Sequence, residues 1–275
     1  MTLPIQDRFP AARRAATVFA AAGTALASML LTAPSAHAAD SDITFSAVVI
    51  NKGKPIVVGT GAEIEVPMTY TVRTKAKLDD WSIRVYRGTF GSNSRGLAIG
   101  TIQWNCMQSS AGGYTYHDCD ESLQIDPLML PGGKKLVNSD ATTWKTAGLA
   151  IKVGGGYDDD LLAYTTRLKR ASLIESADAS PEPVTKGKPI TVKGTLKRAN
   201  WDTHRYDLYG GQKVTLQFKA AGTTTYTNVK TLTTTSTGAL KTTVTAAKDG
   251  TWRWYYAGDS VTGAKATTGD YVDVR

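Results

Sequence analysis

The sequence predicts an all-β protein of two β-sandwich-like domains behind an N-terminal signal peptide. Three observations carry this. Apolar and polar residues alternate along most of the chain after residue 40, no long amphipathic helix follows that point, and a five-residue motif recurs 134 positions apart. Period-two alternation over four to eight residues, bounded by Gly, Pro and Asn, is the mark of half-buried strands. The 275 residues are 41% hydrophobic and 20% charged, which suits a packed core and excludes a disordered chain.

Residues 1–38 read as the signal peptide. Arg8, Arg13 and Arg14 face one acid, Asp7, and residues 15–33 carry no charge. Pro34 and the triplet Ala36-His37-Ala38 follow. A basic start, an apolar middle and small residues at −3 and −1 are what signal peptidase needs, so removal is expected rather than retention as an anchor. The exported chain is then residues 39–275, with an extracellular location and no later stretch long enough to span a membrane. It contains His117 and His204 as its histidines, and Cys106 and Cys119 as its cysteines. Two cysteines exclude a disulfide-dense scaffold and a four-cysteine zinc site. In an oxidising compartment their default is one disulfide, worth ~3 kcal/mol through the unfolded chain.

The strands follow in order. Ile64, Val66, Met68, Tyr70 and Val72 fall on one face, as do Trp81, Ile83 and Val85, and then Leu149, Ile151 and Val153. Leu168–Ala177 alternates like the first strand of a second domain, with residues 178–185 as a loop inside it. Further on, Val214, Leu216 and Phe218 alternate with Lys213, Thr215, Gln217 and Lys219. Trp252, Trp254 and Tyr256 share a face that reads as core, and Val272 and Val274 close the chain. Threonine-rich stretches such as Thr231–Thr237 favour strand, because β-branched chains suit a pleated surface. The recurring motif is Lys52-Gly-Lys-Pro-Ile56 and Lys186-Gly-Lys-Pro-Ile190, each a polar turn entering a strand. The expected domains are 39–167, holding the disulfide, and 168–275. Charge separates them: residues 39–167 hold 13 bases and 14 acids, whereas residues 168–275 hold 16 bases and 9 acids.

The second domain resembles the bacterial immunoglobulin-like domains of secreted and wall-associated actinobacterial proteins. The resemblance rests on A-S-P-E-P-V-T-K-G-K-P-I-T-V-K-G-T-L (Ala179–Leu196) and on G-Q-K-V-T-L-Q-F (Gly211–Phe218). It rests also on G-T-W-R-W-Y-Y-A-G-D (Gly250–Asp259) and G-D-Y-V-D-V-R (Gly269–Arg275). It implies an immunoglobulin-like sandwich and an extracellular setting. It does not imply one function, because such domains serve as spacers, adhesins and accessory modules.

Candidate chemistry is sparse. His117 lies beside Asp118, but neighbours in a strand point to opposite faces. Gly91-Ser-Asn-Ser-Arg-Gly96 misses the spacing of a nucleophile elbow. Asp118, Asp120 and Ser122 fall short of a calcium loop, since Leu123 stands where Gly is needed and Met129 where Glu is needed. Asp158, Asp159 and Asp160 follow three glycines in an expected turn, and their mutual repulsion invites a hard cation such as calcium. The segment Asn200–Gly210 is the best recognition candidate: Trp201, Tyr206 and Tyr209 offer faces for sugars or peptides, with Asp202 and His204 to orient them. The basic second domain points to an anionic or glycan cell-wall polymer, and export argues against nucleic acid. The expected protein is therefore secreted and non-catalytic, binding the cell envelope or extracellular polymers. Two alternatives are a calcium-binding secreted protein and an enzyme inhibitor carried by the segment between the cysteines.

Overall fold

A computed structural model of the chain describes residues 42–91, 94–98 and 100–275. The expected signal peptide lies outside the described residues. No helix among the described residues is long and apolar enough to cross a membrane.

The strands of the N-terminal half are β1 (Ile43–Ile50), β2 (Ile56–Val58), β3 (Ile64–Thr74), β4 (Leu78–Arg87), β5 (Arg95–Gly96), β6 (Gly100–Ala111), β7 (Tyr114–Ile125), β8 (Thr143–Lys152) and β9 (Tyr157–Arg170). They form sheets ordered β1-β3-β7-β6 and β2-β9-β8-β4-β5. The C-terminal half holds β10 (Ser172–Ser180), β11 (Pro189–Asn200), β12 (Arg205–Leu208), β13 (Lys213–Ala220), β14 (Thr227–Thr233), β15 (Ala239–Thr245), β16 (Gly250–Tyr256), β17 (Lys265–Ala266) and β18 (Asp270–Val272). Its sheets are β10-β11-β12, with β15 also on β11, and β14-β13-β16-β17, with β18 also on β16.

This is an all-β chain of immunoglobulin-like sandwiches. In each half the opening strand lies in one sheet, and the chain then crosses to run parallel to the last strand in the other. Ile56 pairs in parallel with Leu168 in the first half, and Val184 bridges Val274 in the second. The opening strands share a design their sequences hide. β1 (ITFSAVVI) and the first eight residues of β10 (SLIESADA) have the same burial order. At the fifth residue of each, Ala47 and Ser176 take φ of 52° and 54°, and at Ser176 the pairing of β10 with β11 is interrupted by a bulge. The Lys-Gly-Lys-Pro-Ile copies are not equivalent in this sense. The first leads into β2, beside β9, and the second opens β11, between β10 and β15. They share turn chemistry, not a place in the fold.

The chain packs as two compact units. The first takes the described part of Met1–Val49, with Pro67–Gln124 and Lys145–Tyr164. Its core holds Ile43, Phe45, Met68, Tyr70, Val72, Ile83, Val85 and Leu149. Gly148 is required there: a Cβ would fall 2.2 Å from the Phe45 ring. The second unit takes Ile50–Val66, Ile125–Trp144 and Thr165–Arg275. Its core gathers Ile174, Ile190, Val192, Leu196, Val214, Leu216, Leu240 and the inward row Trp252, Trp254 and Tyr256. The Trp254 indole lies against Gly194 and donates to the Lys193 carbonyl at 2.9 Å.

Two strand readings are corrected. Val153 lies past the end of β8 in an exposed turn, because the glycine run reverses the chain there. Leu168–Ala177 is two strands: at Ala171 the backbone passes from the sheet of β9 to that of β10, its N–H donating to Val58 O at 2.8 Å.

Candidate functional site

The Asn200–Gly210 segment turns inward. Trp201 is fully buried, and its indole N–H donates to Gly59 O at 2.8 Å. Its ring offers no face to a ligand, which corrects the expectation of a stacking platform. The physical reason is a second segment of the same unit. Asn138 donates from Nδ2 to Asn200 Oδ1 (2.8 Å) and Asp202 Oδ2 (2.5 Å), and its backbone N–H donates to Asp202 Oδ1 (2.9 Å). Its Oδ1 accepts from Trp201 N (3.0 Å) and from the Arg170 guanidinium (2.7 Å). Burial lowers the Arg170 pKa, and the charge of Arg198 adds to this. Asp202 therefore seals a joint. His204 sits at the turn with φ 54°. Tyr206 is half-buried near Gly59, and burial raises its hydroxyl pKa.

Tyr209 belongs to another cluster. Its hydroxyl donates to Asp259 Oδ2 at 2.6 Å, and Tyr256 donates to the same oxygen at 2.9 Å. The N–H groups of Val261 and Thr262 hold the other oxygen at 2.8 and 2.7 Å. Burial alone would raise the Asp259 pKa; the hydrogen bonds prevail and bring it down to about 2. The Arg198 guanidinium lies 4.0 Å over the Tyr209 ring. This cluster holds the 259–262 turn and leaves the Tyr209 hydroxyl committed.

In the first unit, Cys106 and Cys119 form the disulfide and stand directly opposite each other in the β6–β7 ladder. The Trp81 indole points at Cys119 Sγ, 3.3 Å away, and stacks against His117 with ring centroids 4.3 Å apart. Burial lowers the His117 pKa. Buried Glu121 accepts from Tyr70 at 2.6 Å. Among the described residues, Cys106, Cys119 and Glu121 are the group of three whose ligand atoms lie within metal-binding reach, and its sulfurs are bonded to each other.

Asp158, Asp159 and Asp160 lie in strand β9, not in a turn. Alternation sends Asp159 to the face opposite its two neighbours, so the three carboxylates do not converge as a calcium site needs. Burial raises the Asp160 pKa, with Asp158 and Asp159 adding to the shift.

A different surface emerges on the second unit. Because Trp252, Trp254 and Tyr256 point inward, Thr251, Arg253 and Tyr255 point outward. The ladder sets Lys219, Gln217 and Thr215 beside them, and Tyr271 beside Thr251. Arg253 donates to Gln217 Oε1 at 2.8 Å, and Gln217 donates to Asn228 at 2.8 Å. The guanidinium lies 3.6 Å over the Tyr226 ring, with the Lys219 ammonium 5.3 Å from it. The outward positions of β13 and β16 thus carry Lys213, Lys219 and Arg253 and no carboxylate. Beyond β18, Asp273 pairs with Arg275 at 2.9 Å. The opposite sheet differs: Lys197 and Lys193 face Glu175 and Asp178 at 2.6 and 3.9 Å. The alternation of Lys213 to Lys219 was visible in the sequence. Its alignment with Arg253, Tyr255 and Tyr271 depends on strand pairing.

No family model matches the chain, and no curated protein matches it. Among solved structures, the D00-D0 domain of intimin is 13% identical, with 84% of this chain and 98% of that one covered, at a TM-score of 0.27. Titin domains A168-A170 are 11% identical over 84% of this chain and 64% of that one, at 0.26. Three N-terminal domains of the bacteriophage RB49 outer capsid protein Hoc are 10% identical over 85% and 71%, at 0.26. The immunoglobulin-like fold is written in the strand order of this chain itself.

Proposed function

We propose that the protein is an exported, non-catalytic binding protein that attaches to anionic polymers of the cell envelope through its C-terminal sandwich. The observation that carries this reading is the outward face of β13 and β16, where three cations stand without a carboxylate among them. Clustered charge of one sign raises the local concentration of an opposite polymer and makes binding salt-dependent. The disulfide and the basic, apolar N-terminal segment support an extracellular setting.

The test is a pull-down of the exported chain on purified Gram-positive cell walls across a salt series. Binding that fades as salt rises is the expected result. Binding that survives high salt would move the contact to neutral groups, and no binding at low salt would overturn the reading.

A further inference from the structure

We infer that the outward face of β13, β16 and β18 reads the sugar rings of an acidic polysaccharide as well as its charge. This rests on the envelope-binding reading and names the ligand class for that surface. Outward residues recur every ~6.6 Å along a strand, and neighbouring strands lie ~4.8 Å apart. Tyr255 and Arg253 therefore follow one another along β16, and Tyr271 lies across from Thr251 at the far end of that row. The partly exposed Tyr255 and the more exposed Tyr271 thus flank a cation over a span of ~14 Å, the length of a few linked sugars. Tyr271 is 50% exposed.

The cation on this face is ordered. Arg253 is held by Gln217 and by the Tyr226 ring, whose hydroxyl lies beside Gly269, just before β18. A guanidinium fixed by these contacts loses less freedom when it meets a carboxylate, and its planar fork suits that partner. Lys213 and Lys219 add charge along β13, Lys219 with its ammonium 5.3 Å from the same Tyr226 ring. Tyrosines offer apolar faces that pack on the faces of sugar rings, with a hydroxyl for the ring's polar edge. A polyphosphate chain would meet the cations but has no ring faces to lay on the tyrosines. The geometry favours a ring polymer carrying carboxylates over a bare anionic chain.

The experiment measures binding of the exported chain to three probes by affinity electrophoresis: polygalacturonate, polyphosphate and neutral dextran. Polygalacturonate is expected to bind about tenfold more tightly than polyphosphate, and dextran weakly. The Tyr255→Ala, Tyr271→Ala double variant is expected to lose about tenfold for polygalacturonate and to leave polyphosphate unchanged. Arg253→Gln is expected to weaken both anions. Lys193→Gln with Lys241→Gln, on the opposite sheet, checks that net charge alone is not responsible and is expected to change either affinity less than about twofold. Circular dichroism confirms that each variant is folded. Equal binding of both anions with no effect of the tyrosine variant would overturn ring recognition and leave the basic handle standing. Failure to bind either anion would overturn both readings.

Discussion

Asn138 shows how much one side chain can decide. It closes both halves of its amide on four groups, two of them the Trp201 backbone and the Arg170 guanidinium. Asn138→Ala leaves those donors without an acceptor, and a loss of ~2–3 kcal/mol is expected in urea unfolding. Nothing in the sequence around Asn138 marks it, because its partners lie more than thirty residues away. Asp259 makes a second case. Its folded pKa of about 2 lies below the ordinary 3.8, so its contribution is complete above 3.8 and is lost as pH falls toward about 2. Asp259→Asn should flatten the acid limb of the stability curve in that window, measured by thermal melting against pH. An unchanged limb would show that the four hydrogen bonds do not set the acid sensitivity.

At the scale of elements, the β6–β7 hairpin joins sequence and structure most directly. Gly112 and Gly113 take φ of 60° and 78°, as a two-residue turn requires of both positions. That turn places Cys106 opposite Cys119, thirteen positions apart in sequence. Replacing both cysteines with serine should lower stability by ~3 kcal/mol, read from the urea midpoint without reductant. Gly148→Ala forces a methyl group into the Phe45 ring and should cost ~1–3 kcal/mol, seen as a lower Tm. Alternation made most strands legible, and the inward row of Trp252, Trp254 and Tyr256 lies where it indicated. It failed at Asp158–Asp160: glycines mark where a chain can turn, not where the next strand resumes. Here β9 resumes at Tyr157, ahead of the acids.

At the scale of the molecule, the second unit draws on three stretches of chain. A fragment of residues 168–275 lacks Gly59 and Asn138, so Trp201 loses its 2.8 Å acceptor and its backbone partner. The fragment should unfold at lower urea than the full chain, with red-shifted tryptophan emission in the folded state. Equal midpoints and equal emission would show that residues 168–275 stand alone. The sequence by itself determined the all-β class, the inward and outward rows of most strands, the cysteine pair and the uneven charge. These follow from local periodicity and composition, which are written in the residues themselves. Only the tertiary structure decided what the aromatic residues do. Trp201 has the make-up of a binding residue and is a plug, whereas Tyr255 and Tyr271, noted only within the segments that carry the resemblance, share an outward, basic face. The reason is physical: exposure belongs to what packs over a residue. Val58, Gly59 and Asn138 come to Trp201 from segments that no local pattern connects to it.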